Sequence, residues 1–252
     1  MEKLTIIILT FNEENNIEEV ISTASFADEI IVIDAFSADK TQEIAQKYNV
    51  NFIQNKFEDF TKQRYVAAKE ARNNMILFLD ADERIPILLK DEIKRELALD
   101  NQKSAYKILF SHIFMGKVMK NGIFRKKRKL RLFNKNLCWY DETLLVHEKL
   151  LVKKGEIGKL TNPIIHHTYR SLKHTIMKKQ FYSELQAKQL YKQKVKPNFF
   201  HFVIKPIYRF VNQYFFRGGF LNGFQGFFSA FINSCYVMNR YIKLWLMNNN
   251  ME

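Results

Sequence analysis

Leu77-Phe78-Leu79-Asp80-Ala81-Asp82-Glu83-Arg84 is the stretch that decides the fold. The apolar run from Met75 to Leu79 has the length of a buried strand, and it ends abruptly in two carboxylates separated by one small residue. On an extended backbone Asp80 and Asp82 share side-chain parity and point to one side, where a divalent cation would bridge them. Oxygen ligands suit Mg²⁺ or Mn²⁺, which bind through one or two carboxylates together with substrate phosphates. Acids after a strand also have a plainer use as caps of the next helix, so the surroundings decide.

Working outward, Lys3 to Thr10 is a β-branched strand running into the loop Phe11-Asn12-Glu13-Glu14-Asn15-Asn16. Ile17, Val20 and Ile21 follow at helical spacing. Glu29 to Ile33 is a second buried strand, ending in Asp34. A polar turn, Ser37 to Thr41, opens a helix through Gln46. Val50 to Gln54 is a third strand, Thr61 to Arg72 a helix, and Met75 to Leu79 the fourth strand. Strands alternating with helices predict a parallel sheet with crossover helices, whose ligands bind outside the carboxyl ends of the strands. Thr10 to Glu14, Asp34 and Asp80/Asp82 all fall at such ends. Neither G-x-G-x-x-G nor a Walker A loop follows the first strand, which argues against a dinucleotide or P-loop site. Pro86 fits the first turn of a further helix.

At 252 residues and 47% hydrophobic, the chain can bury one large domain, or one domain with an appendage. Cys138 and Cys235 form no metal pattern and no disulfide scaffold, so a reducing compartment is expected. The N-terminus does not read as a signal peptide. Charge is divided: residues 1–100 hold 12 Lys/Arg and 20 Asp/Glu, whereas residues 101–252 hold 28 and 6. The second half therefore predicts a polyanionic partner: nucleic acid, anionic lipid or a phosphorylated substrate.

From Asn101 to Tyr140 there is no acid; Ala105 to Phe114 reads as a strand, and Arg125 to Arg131 is the densest basic run. Leu130, Leu132 and Phe133 interleave with those charges, which argues against simple disorder. Val146-His147-Glu148 sets an imidazole beside a carboxylate, and His166-His167 follow a short apolar stretch, although a lone histidine is more often structural than a ligand. Residues 171–196 are helix-compatible and basic. The 22 uncharged residues from Gly218 to Asn239, flanked by Arg217 and Arg240, are long enough to span a membrane but too polar. They read better as interfacial helices in the headgroup region, or as an aromatic packing or dimerisation element.

With these pieces placed, the chain resembles the family 2 glycosyltransferases, nucleotide-sugar-dependent inverting enzymes. The resemblance rests on Leu9 to Glu14, on Val32-Ile33-Asp34 with Ser37 to Thr41, and on Leu77 to Glu83, in order and at the expected spacing. A closer likeness, to lipopolysaccharide inner-core heptosyl β-1,4-glucosyltransferase-like proteins, rests on Arg131-Leu132-Phe133, Val146-His147-Glu148, Ile165-His166 with Tyr169-Arg170, and the tail from Arg209-Phe210 through Gly218-Gly219-Phe220 to Tyr241. The family tail usually reads G-F-L-D-G, and Asn222 stands where that acid would be. Ala35-Phe36 occupies a turn where small residues are common.

The resemblance implies an α/β fold of the GT-A type, a mostly parallel sheet with flanking helices, over residues 1–170. Residues 1–100 would form its nucleotide-sugar half and 101–170 its acceptor half, with a helical aromatic and basic appendage over 171–252. It implies transfer of a sugar, glucose from UDP-glucose, onto a lipopolysaccharide or lipooligosaccharide core-type glycolipid. Asp82 and His166 would hold a divalent cation, Mn²⁺ or Mg²⁺, with Asp80 and Ala81 beside the ribose and diphosphate. Asp34 would read uracil, Thr10, Asn12 and Glu14 would line the nucleoside pocket, and Lys62 and Arg64 would balance the diphosphate. Glu148 would be the general base, oriented by His147, with Asp141, Glu142 and Glu83 as rivals. Arg128 and Arg131 would hold acceptor phosphates. The enzyme would sit in the cytoplasm, peripheral on the inner face of the cell membrane, with self-association through the C-terminal helices possible. A nucleic-acid-binding protein would leave the ordered carboxylates unexplained. A sugar nucleotidyltransferase would want a Gly-rich basic loop where this chain has Thr10 to Asn16.

Overall fold

The structure is a computed structural model that describes residues 2–125, 128–140, 150–169 and 171–251. Two compact units are present: one from residues 1–111 and 127–166, the other from 112–126 and 167–252. The segment expected as an acceptor half is thus divided between the two units.

The first unit begins β1 (Leu4–Thr10), α1 (Ile17–Ala24), β2 (Glu29–Asp34), α2 (Thr41–Ala45), β3 (Asn51–Gln54), α3 (Phe60–Glu70) and β4 (Met75–Asp80). It continues with β5 (Glu83–Arg84), α4 (Ile87–Leu97) and β6 (Ala105–Phe114), the last strand running on into the second unit, which holds β7 (Lys117–Met119). The chain then supplies β8 (Arg128–Asn134), β9 (Cys138–Tyr140), β10 (Leu150–Val152) and β11 (Ile157–His167). The main sheet has the order β3-β2-β1-β4-β8-β6-β11-β5, and β9 and β10 form a separate antiparallel pair.

The first four strands are parallel, as alternation predicts, while β4–β8, β6–β8 and β5–β11 are antiparallel. The central strands are buried on both faces, so they read as continuous apolar runs. Along β1 the period of two is visible: Ile6 and Ile8 pack with Val20, Ile21, Leu89 and Ile93, and Ile7 packs on the opposite face with Ala67 and Ala71. Each fully buried isoleucine contributes about 1.5–3 kcal/mol. Crossovers run from β1 outward to β3, then return past β1 to β4. The reversal opens a crevice at the carboxyl ends of β1 and β4. Register aligns those ends: Thr10 lies beside Asp34, and Leu9 beside Asp80.

On α4, Leu89, Ile93 and Leu97 face the core, and Glu92 is buried with them. Its carboxylate accepts hydrogen bonds from the Thr161 N–H (2.7 Å) and hydroxyl (2.8 Å) and from the Asn162 N–H (2.9 Å) and side-chain amide (2.8 Å). Burial alone would raise its pKa, but these four donors outweigh it and hold it below the usual value. Its stabilisation is therefore present above the unfolded carboxylate pKa and is lost as pH falls through the folded value. Glu92→Ala should cost about 2–3 kcal/mol at neutral pH. Urea denaturation should show that gap narrowing below about pH 4; an equal gap at pH 7 and pH 3.5 would contradict this role.

The second unit holds α5 (Leu172–Lys192), α6 (Lys205–Val211) and α7 (Phe224–Asn248). α6 lies between two π-helical turns, Phe200–Ile204 and Asn212–Phe216. Ala187, Val237, Tyr241 and Leu244 form its core. Close approach dictates Gly226: a Cβ there would stand 1.9 Å from the Gly219 carbonyl oxygen. Asn222, where the family tail has an acid, uses both ends of its amide. Its oxygen accepts from the Lys120 N–H (3.3 Å) and its nitrogen donates to the Asn121 carbonyl (3.1 Å), a pairing no carboxylate can make. Both cysteines are free. Among the described residues, no helix is long and apolar enough to cross a membrane.

Candidate active site at the carboxyl edge of the parallel strands

Two loops meet beyond β1 and β2. Asn12 has φ +53° and donates its N–H to the Ser37 hydroxyl (2.7 Å), and its side-chain oxygen accepts from the Ala38 N–H (2.8 Å). The Glu13 N–H bonds the Thr41 hydroxyl (2.8 Å), the Glu14 N–H bonds Asp39 (3.1 Å), and Glu14 accepts from the Lys40 N–H (3.2 Å). Asn12 and Glu14, expected to line a nucleoside pocket, clamp one loop to the other. The Thr10 hydroxyl is buried without a hydrogen-bond partner, an uncommon state that calls for an explanation.

Asp34 is the residue expected to read the base. It is fully buried, and its two oxygens accept from the Ser37 N–H and hydroxyl. In this conformation it braces the turn. Phe36, in that turn, has φ +60° and is half exposed, a conformation that costs a non-glycine residue about 1–2 kcal/mol. Phe36→Gly should therefore leave the melting temperature unchanged or raised while weakening nucleotide binding, if the exposed ring stacks on the base. A tenfold loss in nucleotide affinity without loss of stability is the expected calorimetric result; unchanged affinity would reduce Phe36 to backbone strain alone.

The two aspartates part company, which corrects the expectation that they share a side. Extended backbone stops at Asp80, and Ala81-Asp82 is a turn. Arg84 fixes this turn: its guanidinium donates to the carbonyls of Ala81 (2.7 Å) and Glu83 (2.9 Å) and pairs with Glu19 (2.9 Å). Ala81 is buried, with its N–H on the Leu9 carbonyl (3.2 Å). Asp80 turns to Arg131 (3.1 Å) and Arg64 (3.5 Å). Burial alone would raise its carboxyl, but the two guanidiniums hold it well below the usual range.

Glu83 lies beneath Asp80. It is fully buried, 2.9 Å from Arg131, and its other oxygen accepts the Asp80 N–H (3.0 Å). Burial pushes its carboxyl up against the pull of Arg131. So placed, Glu83 is not open to an acceptor, and its standing as a rival base is withdrawn. Arg131 is likewise buried, its guanidinium 5.4 Å from the Phe110 ring centroid, so it does not reach acceptor phosphates as expected. Arg64 stands 5.1 Å from the Phe78 ring centroid and beside Asp80, which commits it to the carboxylate cluster. Lys62 is exposed and paired with Glu58. Arg128 is exposed at the start of β8.

Antiparallel pairing of β5 and β11 sets His166 opposite Glu83. The His166 imidazole stands 3.2 Å from the Asp82 carboxylate, both side chains mostly buried. Burial would lower the imidazole pKa, but Asp82, Glu83 and Asp80 outweigh it and raise it. The expected ligand pair is thus assembled by two elements 84 residues apart in the chain. The donor set fits a cation: two adjacent ligands of one octahedral ion at about 2.1 Å stand about 3 Å apart. Among the described residues no group of three or more His, Cys, Asp or Glu could hold a metal. Asp141, Glu142, His147 and Glu148 lie outside the described residues. A cleft lined by Glu14, Asp39, Lys40 and Glu43 touches none of the carboxylate–arginine cluster, and no chemistry is assigned to it.

Sequence reasoning missed the weight of Arg84 and of the Glu83–Arg131 pair. The signal was the Glu-Arg that follows the second aspartate, a charged dipeptide too short to read as a strand.

The model of the family described as glycosyl transferase family 2 matches residues 5–135. An uncharacterized glycosyltransferase of Rickettsia typhi is 31% identical over 97% of this chain and 86% of its own length. The lipopolysaccharide core biosynthesis glycosyltransferase LpsC of Rhizobium meliloti is 25% identical over 96% of this chain and 92% of its own. Among solved structures, S. aureus TarS residues 1–349 in complex with UDP superposes with a TM-score of 0.51 at 15% identity, covering 99% of this chain and 92% of that one. That likeness is one of fold, the GT-A arrangement of a mixed sheet with flanking helices.

Proposed function

The chain belongs to glycosyl transferase family 2, and on that premise we propose that it is a cation-assisted inverting transferase moving a sugar from a UDP-sugar onto a phosphorylated glycolipid of the lipopolysaccharide-core type. The single observation that carries this reading is the Asp82–His166 pair, 3.2 Å apart at the carboxyl edge of β4. Glucose is the proposed sugar, from the resemblance of Arg131-Leu132-Phe133, Ile165-His166 and the C-terminal tail. The core-type acceptor is supported by the likeness to LpsC along nearly the whole chain.

In the reaction, an acceptor hydroxyl oxygen bonds the anomeric carbon while the bond from that carbon to the diphosphate oxygen breaks, its electron pair leaving with UDP. The hydroxyl proton goes to a carboxylate on the opposite face, the role we assign to Glu148, with His147 orienting it. Asp82 and His166 would hold the cation, which supplies Lewis-acid stabilisation of the departing diphosphate. Asp80, kept anionic by Arg131 and Arg64, presents its part-exposed edge to the ribose. The unpartnered Thr10 hydroxyl supports a nucleoside beside β1. Arg128 is proposed at the acceptor.

The C-terminal unit is proposed to rest on the inner face of the cell membrane. Phe215, Phe216, Phe220, Leu221 and Phe224 are all about half exposed or more, and residues 197–251 contain no acid. Exposed aromatics beside lysine and arginine suit the headgroup region of an anionic bilayer.

The test is calorimetry of the full chain with a panel of nucleotide sugars, with and without Mn²⁺. Binding of one UDP-sugar that strengthens with the cation is expected. A folded protein that binds no nucleotide sugar, even with a lipid-linked acceptor present, would overturn the reading.

A further inference from the structure

The inner face of α7 packs on α5 and α6, and Gly226, Ala230, Asn233, Val237 and Leu244 are buried there. A surface helix ordinarily turns a polar face to water on its other side. On α7 the opposite holds: every exposed residue from Phe224 to Trp245 is apolar. Phe231, Met238, Ile242 and Trp245 are each 39–52% exposed.

Their spacing is regular. Phe228, Phe231, Cys235, Met238, Ile242 and Trp245 follow one another at steps of three, four, three, four and three, the a and d positions of a heptad repeat. Phe228 and Cys235 are half-buried and complete the line, which runs along about 25 Å of helix. Phe224, one step before it, belongs to the aromatic tip proposed above for the membrane. An unbroken a and d line on the outer side of a helix is a seam for a second helix.

Charge and area select the occupant. The positions that flank the seam are Phe227, Ser234 and Tyr241 on one side and Ile232, Asn239 and Leu246 on the other, and none is charged. A helix lying in anionic lipid keeps lysine and arginine along those borders. The two cations of α7 turn to α5 instead: Arg240 donates to the Gln186 side chain (2.7 Å) and Lys243 to the Gln180 carbonyl (3.0 Å). Two copies of a chain of net charge +14 repel over most of their surface. Along this strip they can meet with no like charges opposed. Phe227 and the four exposed seam residues, each about half exposed, offer on the order of 1,000 Å² over two copies, which is the lower bound of a specific interface.

We infer that the outer face of α7 docks a second copy of this chain, the two α7 helices lying antiparallel about a twofold axis beside Tyr236 and Val237. Phe228 then meets the partner's Trp245, Phe231 the partner's Ile242, and Cys235 the partner's Met238, so that a faces d throughout. Arg240 and Lys243 both lie in the C-terminal half of α7. Parallel pairing would gather four cations at one end and align the helix dipoles, and antiparallel pairing avoids both. The interface lies within the helical unit and depends neither on the sugar transferred nor on the lipid contact of the tip.

The experiment uses the full chain without lipid. Sedimentation velocity from about 1 to 100 µM should show a reversible monomer–dimer equilibrium. Met238→Lys sets like charges across the axis and should weaken the dimer about a hundredfold, as should Met238→Glu, and the two variants mixed should pair again. That rescue separates a lost interface from a lost fold. Leu221→Ser, at the tip, should leave the dimer unchanged. A short bismaleimide should join Cys235 to the partner's Cys235, Cys138 being buried. In a Cys235→Ser chain, Asn249→Cys lies far from its mate in the antiparallel order and should not be joined; cross-linking there overturns that order. A dimer indifferent to both Met238 variants overturns the proposal, as does a chain that stays monomeric across the range. If Trp245 of a monomeric Trp139→Phe chain is quenched by brominated lipid in vesicles, the face belongs to the membrane and not to a second copy.

Discussion

Arg131→Met should destabilise the protein by about 3 kcal/mol, because it strands the buried carboxylate of Glu83. The guanidinium is 2.9 Å from Glu83 and 3.1 Å from Asp80, and Glu83 is fully buried. A methionine fills the space but gives Glu83 no donor. The Asp80 share of the loss is smaller, since that side chain is 36% exposed and water screens it. The Glu83 share dominates, and removing both partners should recover most of it: Arg131→Met with Glu83→Leu should be within about 1 kcal/mol of wild type. Chemical denaturation of the four proteins closes the cycle. If the double variant is as unstable as Arg131→Met alone, the cost comes from lost packing on Phe110, not from a stranded charge.

The same pair shows where sequence stops being legible. The parallel half of the sheet could be read from local pattern alone, because β1, β2 and β4 are apolar runs whose ends coincide with polar loops. Asp82 and His166 could be matched through family resemblance. Their divergence from Asp80 could not, because it depends on Arg84 gripping the carbonyls of Ala81 and Glu83, a contact made only after the chain has turned. Arg131 misled for a related reason. In Arg128 to Phe133 its charge looks like one more member of a basic patch, yet β8 pairs with β4, Leu77 beside Leu132 and Ile76 beside Phe133. That register carries Arg131 to the end of β4, where Asp80 waits. A charge inside a strand takes its meaning from the neighbouring strand, and a register between segments some 50 residues apart is not written in either one. Asp34 teaches the complementary point: the motif predicts its place correctly, but Ser37, three residues on, decides which way its oxygens are spent.

Asp82→Asn should be the most damaging single change to activity, lowering kcat/KM by about a thousandfold and abolishing the effect of Mn²⁺ on UDP-sugar affinity. The fold should tolerate it. Asparagine keeps the volume of Asp82 and can still accept a hydrogen bond from His166, so the melting point should stay close to wild type. What it loses is the negative oxygen that a hard cation requires, and a neutral amide beside an imidazole is a weak site for Mg²⁺ or Mn²⁺. Asp80→Asn makes the contrast. Its oxygens face Arg131 and Arg64, so it should weaken nucleotide binding whether or not cation is present. Cation dependence that disappears in Asp82→Asn but survives in Asp80→Asn separates the two carboxylates as the geometry does. Equal loss of cation dependence in both would mean that the ion bridges them after all, and that the turn at Ala81 rearranges when the donor binds.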